Sequence, residues 1–191
     1  TARLRLRDWS DNDRAPFAAL NADPEVMRHF PSTLTREESD AFVDGITATL
    51  RRQGWGLWAV EVRATGEFIG YVGLNVPGFD AVFTPCVEVG WRLRREAWGQ
   101  GYAPEAARAV LAFAFGDLGL DEIVSFTSMG NTNSRRVMEK VGMTHDPADD
   151  FDHPRLAEGH PLRRHVLYRL TATTFRAATG DDPSCRTSPP G

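Results

Sequence analysis

The sequence is poor in cysteine, in lysine and in long apolar runs. Its two cysteines, Cys86 and Cys185, are too few for a disulfide framework or a cysteine zinc site. Lys140 is the only lysine among 22 basic residues, and the net charge of −4 gives no field that favours nucleic acid. No apolar run reaches the length of a membrane span, and the opening TARLRLRDW lacks a signal-peptide pattern. These absences favour a cytoplasmic protein without nucleic-acid or membrane partners.

The hydrophobic pattern predicts strands and helices in alternation. Leu4 and Leu6 alternate with arginines in a first strand, and two helices follow over residues 13–30 and 35–54. The rest of the chain predicts two strands within 56–76, a strand over 86–93, a helix over about 104–118, a strand over 122–129, a short helix over 131–142 and a last strand over 163–171. This order suits one mixed sheet with helices on both faces, in a single domain over 1–177. Residues 178–191 have the composition of a disordered tail.

The stretch WGQGYAP, residues 98–104, follows a strand and begins a helix, where glycine turns often bind phosphate. A dinucleotide fingerprint requires a third glycine where Pro104 stands, and an NTP-binding loop requires a Gly-Lys-Ser/Thr that is absent. The plain alternative is a tight turn that only begins a helix. Against it, no Ser, Thr, Asp or Asn precedes Pro104 to cap the first amides. Gly99 and Gly101 let a pyrophosphate approach those amides, with Arg94 just upstream.

Several motifs, taken in order, resemble the GNAT superfamily of acyl-CoA-dependent N-acetyltransferases. AWGQGYAPEA is similar to the signature Gln/Arg-x-x-Gly-x-Gly/Ala. Trp98 replaces the Gln or Arg of the first position, as is usual in the branch of the ribosomal-protein alanine N-acetyltransferases, which this motif resembles. GEFIGYVGL, VEVGWRL, NTNSRRVMEKVGM and HVLYRL extend the resemblance over about residues 1–172. The resemblance implies an α+β, three-layer GNAT fold. In that fold a mixed, mostly antiparallel sheet of about seven strands is flanked by helices on both faces and splayed in the middle to admit acyl-CoA.

The resemblance also implies acetyl-CoA as co-substrate, and no spacing in the sequence predicts a metal site. Five residues of the turn are expected to hold its pyrophosphate, with Arg94 beside them: Gly99, Gln100, Gly101, Tyr102 and Ala103. The pantetheine arm is expected to pair with the strand backbone of Trp91, Arg92 and Leu93, because a parted sheet edge offers free backbone groups. Asn131 is expected to hydrogen-bond the same arm. In the alternative, Asn131 or Asn133 caps the following helix.

Acetyl transfer requires the amine to lose a proton, the thioester carbonyl to be polarised and the leaving thiolate to gain a proton. The resemblance implies direct attack without an acyl-enzyme. Many family members place a tyrosine acid where this chain has Met138, whereas the ribosomal branch uses a serine that matches Ser134. Ser134 is therefore the predicted acid, and the alternative is a serine that bonds the helix backbone. Glu88 is the predicted base, directly or through water, and the alternative is an ion pair with Arg92.

The loop of residues 145–165 contains four histidines and four aspartates. Their spacing fits no standard metal site, so the loop is expected to border the acceptor cleft and to attract a cationic amine. Trp55 and Trp58 are expected in the core, with an acceptor pocket as the alternative. The favoured acceptor is a protein or peptide α-amine. A small-molecule amine (an amino sugar, polyamine or amino acid) and a non-catalytic acyl-CoA-binding module are the alternatives, and the resemblance allows a homodimer.

Overall fold

A computed structural model describes residues 1–180. Its strands are β1 (Leu4–Arg7), β2 (Leu57–Val62), β3 (Glu67–Asn75), β4 (Glu88–Leu93), β5 (Glu122–Ser128), β6 (Thr144–His145), β7 (Phe151–Asp152) and β8 (Arg164–Thr171). Its helices are α1 (Arg14–Ala22), α2 (Pro24–Met27), α3 (Arg36–Gln53), α4 (Tyr102–Gly116), α5 (Thr132–Lys140) and α6 (Ala172–Thr179). The α+β class is confirmed, and no helix in this part of the chain is long and apolar enough to cross a membrane.

The strands form one eight-stranded mixed sheet in the order β1-β2-β3-β4-β5-β8-β6, with β7 also pairing with β8. Every pair is antiparallel except β4 and β5, which are parallel. These two strands share one register pair, Glu88 opposite Val124, and the Val124 N–H donates to the Val87 carbonyl at 3.0 Å. Beyond that pair the strands part, so the expected splay in the middle of the sheet is confirmed.

Apolar side chains cover both faces of the sheet. On one face the strands pack against α4 through residues such as Leu111, and on the other they pack against α1 and α3 through residues such as Phe17. Strand β4 alternates between the two, with Val89 in the α4-side core. Glu88 and Arg92 consequently share the α1–α3 face, and Arg92 reaches α1 there.

The predicted helix over residues 13–30 is divided in the structure. A break at Asp23 separates α1 from α2, and the Asp23 carboxylate caps α2 by accepting from the Glu25 N–H at 2.8 Å. Pro24 cannot donate the N–H that would continue α1. Helix α2 ends at Met27, and the residues that follow it line the cleft described below.

Two other boundaries differ from the sequence prediction. Helix α4 begins at Tyr102 rather than Pro104, because Gly101 with φ of 77° supplies the preceding left-handed residue. Helix α6 was not predicted and ends at Thr179, so the first two residues of the predicted tail are helical. The remainder of that tail, residues 181–191, lies outside the described residues.

The predicted capping box at the start of α3 is present. The Thr35 N–H donates to Glu38 Oε2 at 2.8 Å, and the Glu38 N–H donates to Thr35 Oγ1 at 3.2 Å. We expect Thr35→Ala to lower the free energy of unfolding by about 1 kcal/mol, which lowers Tm by about 2–4 °C in a chain of this length. Calorimetry measures the shift. The control Thr47→Ala, within the same helix, is expected to be neutral or slightly stabilising, and an equal loss in both variants would contradict the capping role.

Candidate active site

A cleft of about 660 Å³ lies where β4 and β5 part. The glycine turn and the start of α4 form one end, and residues 25–31 with part of the 145–165 loop form the other. Ten of the predicted site residues line it: Glu88, Trp91, Arg92, Leu93, Gly99, Gly101, Tyr102, Ala103, Asn131 and Ser134. Predicted site residues from three separate stretches of the chain therefore meet in one cavity.

The glycine turn presents the free N-terminus of α4 to this cleft. Gly101 is the N-cap residue, and no side chain of the described residues caps the helix there. Gly99 has φ of 73°, in the same left-handed region as Gly101. Because Pro104 has no N–H, the first-turn donors are the amides of Tyr102 and Ala103. Two free amides at a positive helix end form a ready binding site for an anion.

Two side-chain hydrogen bonds hold the turn in place. Trp98 Nε1 donates to the Leu93 carbonyl at 2.8 Å, which ties the turn to the end of β4. Arg3 Nη1 donates to the Gln100 carbonyl at 2.9 Å. These bonds fix the loop before any ligand arrives, and pre-organisation of this kind lowers the entropy cost of binding.

Two predicted pyrophosphate contacts point away from the cleft. The Gln100 side chain donates to the Glu96 carbonyl at 2.8 Å. The Arg94 guanidinium pairs with Glu67 of β3, and its backbone N–H donates to the Ile69 carbonyl. The contacts therefore do not support the role predicted for Arg94, because a carboxylate on the outer side of the sheet holds its charge. Gln100 can contribute only through its backbone.

Asn131 and Ser134 lie together at the start of α5. Asn131 Oδ1 accepts from the Ser134 N–H at 3.2 Å, and Asn131 Nδ2 donates to Thr127 Oγ1 at 2.9 Å. The capping alternative is therefore correct for Asn131, and its amide keeps one N–H for a ligand. The Ser134 hydroxyl makes no hydrogen bond within residues 1–180 and lines the cleft. Met138 is fully buried in the core and is not part of the cleft.

Glu88 lies beside the point where the strands part, opposite Asn75 of β3. Burial raises the pKa of its carboxyl to about 8, and a hydrogen bond with Asn75 acts in the opposite direction. The alternative pair with Arg92 is not formed, because Arg92 Nη1 donates instead to Asn21 Oδ1 at 2.6 Å. Glu88 is thus a titratable carboxyl that no cation in the described part of the chain neutralises, a common property of catalytic groups.

Three histidines that the sequence did not single out as site residues line the cleft: His29, His153 and His165. Burial is the main cause that lowers the pKa of each one, so all three are neutral at pH 7. His29 follows α2, whereas His153 and His165 both lie within residues 145–165, and the three share no sequence pattern. No group of three or more His, Cys, Asp or Glu residues within 1–180 is arranged to hold a metal ion.

The 145–165 loop borders the cleft as expected, but its acidic residues face elsewhere. Asp149 pairs with Arg169 at 2.7 Å, and Asp150 pairs with His145 at 2.7 Å. Asp152 lies near two arginines of the same loop and β8. The loop residues that line the cleft are His153, Arg155, Leu156 and Leu162, with His165 at its end. The contacts therefore do not support attraction of a cationic amine by this loop, because none of its aspartates lines the cleft.

The core role favoured for Trp55 and Trp58 agrees with the structure. Both pack against the α4-side core, and Trp58 meets Phe113 edge-on with ring centroids 5.5 Å apart. Neither ring lines the cleft. Two cations of α5, Arg136 and Lys140, line it instead, one helical turn apart.

Comparisons with known proteins agree with this geometry. A family model for the acetyltransferase (GNAT) domain matches residues 3–144. The uncharacterized protein YkkB of Bacillus subtilis is 36% identical over 144 residues, which are 75% of this chain and 83% of YkkB. FsC-acetyl coenzyme A-N(2)-transacetylase of Aspergillus fumigatus is 36% identical over 152 residues, 76% of this chain and 64% of that protein. The "Putative ribosomal N-acetyltransferase YdaF" of B. subtilis is 27% identical, over 73% of this chain and 75% of YdaF.

A solved structure shares the fold over nearly the whole chain. Spermidine N-acetyltransferase from Vibrio cholerae, in complex with CoA and spermine, superposes with a TM-score of 0.71. The match covers 92% of this chain and 99% of that one at 16% identity, so it shows the fold alone. The family model, the two relatives at 36% identity and the splayed sheet together confirm the resemblance. This chain belongs to the GNAT acetyltransferase family and is an acyltransferase.

Proposed function

We propose that this chain transfers an acetyl group from acetyl-CoA directly to a primary amine, with Glu88 as the base and Ser134 as the acid. The observation that carries the proposal is the meeting of three features in one cleft. These are an uncapped helix N-terminus, a carboxyl with raised pKa and a hydroxyl without a protein partner in residues 1–180. Each feature matches one requirement of acyl transfer to an amine.

The cleft suits acetyl-CoA at three points. The amides of Tyr102 and Ala103 can receive its pyrophosphate at the N-terminus of α4. The edge of β4 beyond Glu88 has no strand partner on the β5 side among the described residues, so it can pair with the amides of a pantetheine arm. Arg136 and Lys140 can bind further phosphate charge. Acetyl-CoA, when bound, supplies the activated thioester.

The protein's own groups move the protons. The Glu88 carboxylate accepts a proton from the acceptor ammonium, directly or through water, and the neutral amine attacks the thioester carbonyl. As the carbon–sulfur bond breaks, Ser134 donates its hydroxyl proton to the departing thiolate and regains a proton from the nitrogen of the new amide. Cys86 does not compete as a nucleophile, because burial raises the pKa of its thiol to about 11 and keeps it protonated at neutral pH. Direct transfer without an acyl-enzyme is consistent with this arrangement.

Two acceptor classes have support. A protein or peptide α-amine is supported by the motif resemblance to the ribosomal branch and by the similarity to YdaF. A small-molecule amine is supported by the names of the FsC transacetylase and of the spermidine acetyltransferase whose fold this chain shares. A homodimer and a cytoplasmic location stay predictions of the sequence.

Replacement of the proposed acid tests the chemistry. We expect Ser134→Ala to lower kcat by about 100-fold with little change in KM for acetyl-CoA, because only thiolate protonation is lost. Thiol release from acetyl-CoA across a panel of peptides and small amines measures turnover. Thr132→Ala removes an exposed hydroxyl from the same helical turn and is the matched control. Unchanged turnover in Ser134→Ala would exclude the serine as acid, and a wild type that acetylates no amine would favour a non-catalytic module.

A further inference from the structure

Arg92 is a buried cation in the cleft without an ionic partner among the described residues. It is only 8% exposed, and no carboxylate within residues 1–180 lies within ion-pair distance of it. Its Nη1 donates to the Asn21 amide oxygen at 2.6 Å, and the guanidinium also interacts with the Tyr71 hydroxyl. A buried guanidinium whose charge is not compensated by an anion is costly. The arrangement therefore favours a ligand that brings a negative charge.

Surrounding rings hold the guanidinium in one orientation. Its central carbon lies 4.0 Å from the ring centroid of Phe30 and 5.6 Å from those of Phe42 and Tyr71. Arg92 Nε is sealed from solvent and has no hydrogen-bond partner. Because Arg92 lines the cleft and no carboxylate of the described residues neutralises it, the guanidinium can donate to a ligand bound there. A planar donor group fixed in advance is well suited to a carboxylate.

Gly90 leaves an open space between Arg92 and Glu88. The three residues share one face of β4, and Gly90 lines the cleft. A Cβ at position 90 would meet only Glu88 Oε1 within 4 Å, at 3.9 Å. A rise of about 3.3 Å per residue places the Cα atoms of Glu88 and Arg92 about 13 Å apart. A small molecule above Gly90 can therefore meet a proton acceptor at one end and a fixed cation at the other.

We propose that Arg92 binds a carboxylate of the acceptor, so that the substrate class is an amine with a carboxylate a few bonds away. The inference rests on the proposed function and assigns the specificity of the same cleft. The amine lies toward Glu88, and the carboxylate accepts from Arg92. Free α-amino acids and peptides that begin with Asp or Glu share this chemistry. A polyamine would instead place a cation against Arg92, which disfavours it.

Matched acceptor pairs test the subsite. The panel contains free L-amino acids with their carboxamides, and two tripeptide amides that begin with Asp or with Asn. We expect wild-type kcat/KM to be about 30-fold higher for the carboxylate member of at least one pair, since a site built to bind a charged group rejects the analogue that lacks it. The pair that shows the preference identifies the source of the carboxylate. We expect Arg92→Met to abolish the preference at unchanged KM for acetyl-CoA, and Arg92→Lys to retain part of it.

Controls separate this role from packing. Because Arg92 also packs on Phe30, thermal melting of both variants reports any loss of fold. Equal wild-type kcat/KM within every pair, or an equal loss for both members in Arg92→Met, would overturn the proposal as merely structural. Calorimetric titration of the CoA complex, first with an amino acid and then with its amide, measures binding at the subsite without turnover. Acid-selective binding that depends on Arg92, in a protein that acetylates no amine, would support the subsite and overturn the proposed function. Turnover without any preference for the carboxylate member of a pair would support the proposed function and overturn the subsite.

Discussion

Glu88→Gln is expected to lower kcat/KM for the amine by about 1,000-fold at pH 8, with the affinity for acetyl-CoA unchanged. The glutamine keeps the size and the contact with Asn75 but cannot accept the amine proton, and loss of a general base typically costs about 10²- to 10⁴-fold. Steady-state kinetics with saturating acetyl-CoA measure the change. Glu122→Gln, at the solvent-exposed start of β5, is the matched control and should retain full activity. An active Glu88→Gln enzyme would exclude this base.

The pH profile of the wild type should carry the signature of Glu88. Its pKa is raised to about 8, so the carboxyl is mostly protonated at pH 7 and ionises as the pH rises. The base form is the carboxylate, so kcat/KM should rise about tenfold per pH unit below about 8 and level off above it. The residual activity of Glu88→Gln should lack this limb. A wild-type profile that is flat between pH 6.5 and 9 would contradict the assignment.

The same shift makes a prediction about stability. The folded-state pKa lies above the unfolded value, so the fold favours the neutral carboxyl and loses stability as the pH rises from about 4.5 to about 8. Glutamine is neutral at every pH and escapes this loss. We expect Glu88→Gln to exceed the wild type by about 2 kcal/mol at pH 8, after allowance for the solvent in the cleft, and by little at pH 5. Urea unfolding at the two pH values measures the difference.

Gly101→Val is expected to weaken acetyl-CoA binding by about 100-fold. The residue has φ of 77°, which a β-branched side chain adopts only with strain, so the turn must change its backbone. Misalignment of the Tyr102 and Ala103 amides then removes charge-assisted hydrogen bonds worth about 1.5–3 kcal/mol each, and about 1.4 kcal/mol corresponds to a factor of ten. Isothermal titration with acetyl-CoA measures the affinity.

A second glycine of the same conformation provides the control. Gly54 also has φ of 77° and ends α3 away from the cleft, and a Cβ added there would meet no atom of the described residues within 4 Å. Gly54→Val should cost similar stability by thermal melting and leave acetyl-CoA affinity intact. An equal fall in affinity for both variants would mean that strain in general, rather than the amide geometry of the turn, weakens binding.

Much of the fold was predictable because its signals are local. The capping box of α3, the alternation of β4 and the order of strands and helices all depend on residues a few positions apart. The break at Asp23 was missed because the apolar spacing continues across it, although Pro24 was a visible signal. Helix α6 was missed because it begins directly after β8. One short stretch of mixed polar and apolar residues contains both the end of the strand and the start of the helix.

The candidate site was predictable only in part. Ser134, Asn131 and the glycine turn stand at helix starts, where sequence patterns are strong, and each lines the cleft. The contact of the Arg94 side chain with Glu67 could not be predicted, because Glu67 belongs to another strand. The pairing of Asp149 in the 145–165 loop with Arg169 was hidden for the same reason, since Arg169 lies on β8. In both cases the sequence shows which side chains are charged, but not which distant side chains of opposite charge they pair with.

By itself, the sequence determined most of the secondary structure, the place of the glycine turn that begins α4 and the residues that carry the family's motifs. Only the tertiary structure decided which distant groups meet. Arg92 and Asn21, for example, lie 71 positions apart and touch because β4 packs under α1. His29 likewise lines the same cleft as His153 and His165, which lie more than 120 positions further along the chain. The physical reason is that turns and caps are governed by neighbours along the chain, whereas burial, ion pairing and pKa depend on whatever the packed layers place nearby.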